Sequence, residues 1–224
     1  MSIFAYSTKG TIAWFERTGA PGSFSFRREI LHTHACECRA HYLSKSVGGL
    51  LAAACECEFV LIDLFGDCAI VATLDIKGCS GCEFSPSGKH LAVCDGSGIV
   101  SVFASSGWTR VASLCHDKDL QRTHLAVCFE CTGHDVLIAD HHGGVSTWQI
   151  PAEGDEWPTT PRRQIKRDPE WTRWGKVHFS PDGAFIFSDS SEGVHLCAVL
   201  DDAVVHVSDF GVHEVRTIAT FVVF

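Results

Sequence analysis

Apolar positions in this chain come in short blocks separated by turn formers. His90–Cys94, Ile99–Ala104 and Val136–Ala139 are each followed at once by Asp or Ser, and Leu50–Cys55 by Glu-Cys-Glu. Blocks this short, rich in Val, Ile and aromatic residues, predict strands rather than helices. The pattern predicts strands at Ile3–Ser7, Thr11–Glu16 and Ser23–Leu31, then at Cys36–Leu43, Leu50–Cys55, Phe59–Phe65 and Ala69–Asp75. A third group falls at Cys79–Phe84, His90–Cys94, Ile99–Ala104 and Arg110–Leu114. A fourth falls at Leu125–Phe129, Val136–Ala139, Val145–Ile150 and Gln164–Lys166. The fifth falls at Lys176–Phe179, Phe185–Asp189, Val194–Leu200 and Ala203–Ser208.

The groups repeat in sequence as well as in hydropathy. Cys82-Glu-Phe-Ser-Pro-Ser-Gly-Lys-His-Leu-Ala-Val-Cys94 has a counterpart in Val177-His-Phe-Ser-Pro-Asp-Gly-Ala-Phe-Ile-Phe-Ser188, and a weaker one in Val127-Cys-Phe-Glu-Cys-Thr-Gly-His-Asp-Val-Leu-Ile-Ala139. Aligning the aromatic before the first turn gives Tyr42, Phe84, Phe129, Phe179 and Phe221, in steps of 42, 45, 50 and 42 residues. Four short strands per unit at this period predict an all-β fold, a β-propeller of five blades, each with four antiparallel strands. The first group lacks an innermost strand, and Val215–Phe224 reads as the start of another unit. The expectation is one domain, residues 1–224, closed by that C-terminal strand pairing with the N-terminal blade, because closure hides an exposed sheet edge. An open arc, or a fragment of a larger propeller, is the rival arrangement.

The repeats resemble WD40 repeats. Leu114-Cys-His116, Leu125–Phe129 and Trp148-Gln149 are similar to that family's Gly-His, Phe-Ser-Pro-Asp-Gly and Trp-Asp landmarks. Phe15, Ile62, Phe103 and Cys197 stand where the family has its other tryptophans, and Lys9, Ser97 and His142 replace its turn aspartate. The resemblance implies a platform for other proteins. The replaced tryptophans and aspartates imply that apolar packing between sheets, rather than the family's polar network, carries blade stability.

Charge narrows the partners. Asp and Glu outnumber Lys and Arg 27 to 18, a net charge of −9. Phosphate backbones demand clustered cations, so nucleic acid is not expected as the main ligand. Residues 1–31 carry Arg17, Arg27, Arg28 and Glu29 and lack the apolar core of an export signal. No run approaches the roughly 18 apolar residues of a spanning helix. The expected setting is intracellular, cytoplasmic with the nucleus as the alternative, with no membrane partner. The 12 cysteines sit largely within apolar blocks and read as small buried hydrophobes in a reducing compartment.

In such a propeller the loops that follow the second and fourth strands of each four-stranded blade share one face. They carry Asp95, Asp140, His142 and Glu192, together with the loop Asp168-Pro-Glu170-Trp171-Thr-Arg173-Trp174. The expected partner-binding set is Trp171, Arg173, Glu170, Asp168, Asp95, Asp140, His142 and Glu192, presenting an acidic face to Lys/Arg-rich segments. Turns favour Asp for purely local reasons too, so acidity alone does not assign function. Trp157, in the Pro-rich loop 151–161, reads either as a partner anchor or as a residue tucked back onto its blade.

Chemistry finds few handles. Cys79/Cys82 and Cys128/Cys131 are C-x-x-C pairs, but their positions in the repeat differ. His32, His34, Cys36 and Cys38 alternate, and Asp140-His141-His142 is a weak cluster; the expectation is no metal and no cofactor. There is no G-x-S-x-G and no H-E-x-x-H, and no catalytic residue is expected. The alternative is an enzyme or small-ligand propeller, glycosidase-like, using paired central carboxylates. Glu83 is the acidic residue placed near the axis.

Overall fold

The computed structural model describes residues 2–6, 11–18, 25–33, 41–55, 57–65, 67–95, 97–115, 125–130, 133–140, 144–152, 154–165, 177–180, 182–189, 193–200 and 204–211. Every regular element among them is a β-strand. Sheet I holds β1 (Ser2–Tyr6), β2 (Thr11–Thr18) and β3 (Ser25–Thr33). Sheet II holds β4 (His41–Lys45), β5 (Leu50–Cys55), β6 (Phe59–Asp63) and β7 (Ile70–Leu74). Sheet III holds β8 (Gly81–Phe84), β9 (His90–Cys94), β10 (Ile99–Ala104) and β11 (Thr109–Cys115). Sheet IV holds β12 (Leu125–Phe129), β13 (Asp135–Asp140), β14 (Val145–Gln149) and β15 (Arg163–Ile165). Sheet V holds β16 (Val177–Phe179), β17 (Phe185–Asp189), β18 (Gly193–Val199) and β19 (Val204–Gly211). Each sheet is an antiparallel meander in chain order, so the expected all-β class and four-stranded units are found in II to V. Sheet I shows the three strands expected of it; the segment expected to complete it, 215–224, lies outside the described residues.

The sheets stack face to face. Ile12 packs with Leu51, Ala53, Val60 and Ile62 between I and II. Phe59, Leu61, Phe84, Leu91 and Phe103 fill the II–III interface. Cys94, Val100, Phe129, Val136, Ile138 and Trp148 fill III–IV, and Ala139, Val145, Ile186 and Cys197 fill IV–V. This explains why the middle strands are continuous apolar runs instead of alternating ones. β5, β6, β9 and β10 are covered on both faces, so nearly every described side chain on them is buried. Ala52, Ala53 and Ala54 keep sheet II thin enough for both neighbours to approach. The outer strands β7 and β11 are largely exposed.

The first strands of neighbouring sheets, β4, β8, β12 and β16, lie against one another and form the inner edge. Inner-edge backbone groups need partners that the sheet ladder does not supply. Ser44 on β4 answers one such need: its Oγ accepts the Phe84 N–H of sheet III at 3.0 Å.

The turn after each inner strand is the most uniform feature of the repeat. Gly49, Gly88, Gly133 and Gly183 each donate N–H to the carbonyl three residues earlier, on Ser46, Ser85, Glu130 and Ser180. All four have φ between 70° and 79°, a region open to Gly at little cost. Ser46, Ser85 and Ser180 also turn their Oγ back to accept N–H from Leu50, His90 and Phe185. This register corrects the sequence alignment of sheet II: Lys45, not Tyr42, occupies the place of Phe84, Phe129 and Phe179. The sheet II turn returns one residue sooner, with Ser46 N–H on the Leu50 carbonyl where Ser85 reaches the carbonyl of His90.

Candidate functional site

The turns joining the second and third strands gather at one end of the stack. There Asp95 follows β9, while Asp140 and Asp189 are the last residues of β13 and β17. Asp95 Oδ1 accepts the N–H of Ser97 at 2.8 Å, the Ser97 hydroxyl at 2.6 Å and the N–H of Ile99 at 3.1 Å. Asp140 is only 2% exposed, and its Oδ1 accepts the Gly144 N–H at 3.1 Å. In both turns the carboxylate satisfies donors that the tight chain reversal leaves unpaired, which is why Asp suits the position. Of the expected partner-binding set, the structure therefore brings Asp95 and Asp140 to the same end of adjacent sheets, in the same role. His142, Asp168, Glu170, Trp171, Arg173 and Glu192 lie outside the described residues. Asp209 lies within β19, opposite His195.

The other end of the stack carries the loops after the third strands, and those of sheets II, III and IV each contribute a large apolar residue. In sheet III, Trp108 meets Phe84 edge to face, with ring centres 6.3 Å apart, over the II–III interface. In sheet IV, Trp157 meets His90 of sheet III edge to face at 5.5 Å, over III–IV. Trp157 thus tucks back, and loop 151–161 is tied down at its base: Ile150 N–H bonds the His134 carbonyl, Arg162 N–H bonds the Thr147 carbonyl, and the Arg162 guanidinium lies 3.5 Å from Asp135. Burial holds the Asp135 carboxyl above the usual carboxylate range despite Arg162, and holds the His90 imidazole below its usual value, with Lys89 adding to the effect. Phe65, in the corresponding loop of sheet II, is 80% exposed and lies over Gly49.

Trp148 lies 1% exposed in the III–IV core, its indole N–H donating to Ser146 Oγ at 3.0 Å. Its counterparts Ile62, Phe103 and Cys197 are buried against the preceding sheet in the same way.

Glu83 sits on the innermost strand of sheet III, where loss of water raises its carboxyl from 4.5 to about 7. The described inner strands β4, β8, β12 and β16 contain no second Asp or Glu. Cys82 packs into the II–III core, whereas Cys128 directs its thiol to the Ser180 carbonyl of sheet V at 3.8 Å; Cys131 lies outside the described residues. Among the described residues no group of three or more His, Cys, Asp or Glu is arranged to hold a metal ion. Cys79, Cys82, Cys94, Cys128 and Cys197 are buried. The Cys82 thiol is pushed well up by its contact with Cys79 and by burial.

No protein-family model matches the chain, and no curated protein matches it. Among solved structures the chain is similar to the β-propeller domain of Cps50 (Swd1) from Myceliophteria thermophila, with a TM-score of 0.55 and 14% identity, covering 90% of this chain and 81% of that one. At this identity the likeness speaks for the fold alone: the chain is a β-propeller. In all, 1298 solved chains match, and a fold this widespread says little about chemistry.

Proposed function

We propose that this propeller is a non-catalytic, WD40-like scaffold for protein–protein interaction, acting inside the cell. In this reading its five blades close when Val215–Phe224 pairs with β1 as the innermost strand of the first. The end holding Asp95, Asp140, His142 and Glu192, with the loop carrying Asp168, Glu170, Trp171 and Arg173, receives a Lys/Arg-rich segment. The observation that carries the reading is the recurrence of Asp95, Asp140 and Asp189 at one end of three successive sheets, in a chain of net charge −9. Closing a turn and presenting an acidic side chain at that end are compatible roles. Trp171 and Arg173 are the residue types that dominate interface energies, and they anchor the contact.

The test is affinity purification followed by mass spectrometry with wild type and a Trp171→Ala/Arg173→Ala double variant. The expected result is a set of basic partners, released by salt and depleted in the variant. Identical partner lists reject the site.

Glu83 favours one alternative, a small-ligand or glycosidase-like propeller, because a carboxyl near neutrality on the axis can move a proton. The readings separate cleanly: Glu83→Gln leaves partner capture intact if the scaffold reading holds.

A further inference from the structure

Register shifts recur at one place in the fold. Between the third and fourth strands of sheet II, Leu61 faces Ala72 and Ile62 faces Ile70, so Val71 has no residue opposite. In sheet III, Val102 faces Ala112 and Phe103 faces Arg110, which leaves Val111 unmatched. In sheet V the unmatched residue is Val207, and in sheet I it is Leu31. The extra residue is on the outermost strand every time, and it is aliphatic every time. In sheet IV the ladder instead stops at Thr147 opposite Arg163, one residue short of Trp148. In II, III and V the break adjoins the large core residue of the row: Ile62, Phe103 or Cys197.

The outer strands need such a device. Among the described residues each pairs on one side only, which leaves a row of backbone donors and acceptors facing outward. They are also built from strongly β-forming residues that reach water: Ile70 and Val71 are 45% and 48% exposed, Val111 is 38%, and Val205 and Val207 are 43% and 52%. An exposed, β-branched, flat edge is a template for pairing with another chain. A bulge kinks and over-twists the strand and takes its outward groups out of line.

We infer that the single extra aliphatic residue in β3, β7, β11 and β19 is an edge guard, which keeps copies of this chain from pairing outer strand to outer strand. The occupant it excludes is a second copy, because identical edges are self-complementary in antiparallel pairing. The guard is positional rather than chemical: the extra residue acts by its presence, not its side chain.

Deletion separates the two. Removing Val71, Val111 or Val207 singly restores one-to-one register, whereas Val111→Thr keeps the bulge and trims the exposed apolar surface. Light scattering after size exclusion, on samples whose cooperative melting certifies folding, reads the outcome. The folded deletion variants are expected to rise to about twice the wild-type mass or beyond, with Val111→Thr unchanged from wild type. Folded deletion variants that keep the wild-type mass overturn the inference. So does loss of folding in all three, which would make the residue a folding requirement, and so does association by Val111→Thr equal to that of the deletions.

Discussion

Trp148 shows how a single side chain holds two sheets. Its ring is enclosed by residues of sheets III and IV, and its polar N–H is satisfied within its own strand by Ser146. Trp148→Ala should cost about 3–5 kcal/mol through lost contacts and the cavity left behind. Ser146→Ala should cost about 1–3 kcal/mol, the penalty of an unsatisfied buried donor. Urea unfolding of both variants measures the two terms separately. Glu83 acts in the opposite direction. Its folded-state pKa is raised from 4.5 to about 7, so between those values the folded chain binds a proton that the unfolded chain has released. Its contribution is fully present below about pH 4.5 and is lost as pH rises through 7. Glu83→Gln is therefore expected to be more stable than wild type at pH 8, by up to about 3 kcal/mol, and nearly equal to it at pH 4. A gap that does not shrink on acidification would show that the carboxyl is well solvated in the folded protein.

At the scale of the element, the turns set what a sequence reader can and cannot see. Gly49 and Gly133 occupy the same turn position with φ of 79° and 74°. A Cβ on Gly133 meets nothing within 4 Å, whereas one on Gly49 falls 2.3 Å from the Phe65 ring. Gly133→Ala should cost about 1–2 kcal/mol, the backbone term alone. Gly49→Ala should cost more, and in a Phe65→Ala background it should fall back to the Gly133→Ala value; equal costs for the single variants would mean that Phe65 swings aside freely. The strands themselves were legible because β5, β6, β9 and β10, buried on both faces, must be apolar throughout. The Ser-Pro-x-Gly turns were legible because they need Gly at positive φ. Tyr42 misled because the turn of sheet II has no aromatic before it and returns a residue early. The bulges left no trace, since an unmatched valine in a strand looks like any other valine. Trp157 could not be assigned from sequence because its neighbour, His90, lies in a different repeat. Asp95 and Asp140 were legible as turn residues, but their hydrogen bonds were not, because Asp favours turns with or without a partner to bind.

At the scale of the molecule, stacked sheets raise the question of the ring's last seam. Four interfaces, I–II to IV–V, are formed by described residues, and sheet I has three described strands where its neighbours have four. If residues 215–224 complete it, as proposed, they bring Phe221, Val222, Val223 and Phe224 to the inner edge beside β1. Burying four such side chains is worth about 6–12 kcal/mol. That is comparable with the whole net stability of a domain, about 5–15 kcal/mol. A chain cut after Glu214 is therefore expected to lose its cooperative melt or to melt far lower, because sheet I would keep a bare inner edge and sheets I and V would lose a shared strand. Supplying residues 212–224 as a separate peptide should restore much of the melting temperature, since the missing strand needs no covalent link to pair. The restoration distinguishes a strand with a vacant place in sheet I from a tail that only shields apolar surface, for a shuffled peptide of the same composition should then fail. A truncated chain that melts within a few degrees of the full one would mean that the sheets close without this segment, or do not close at all.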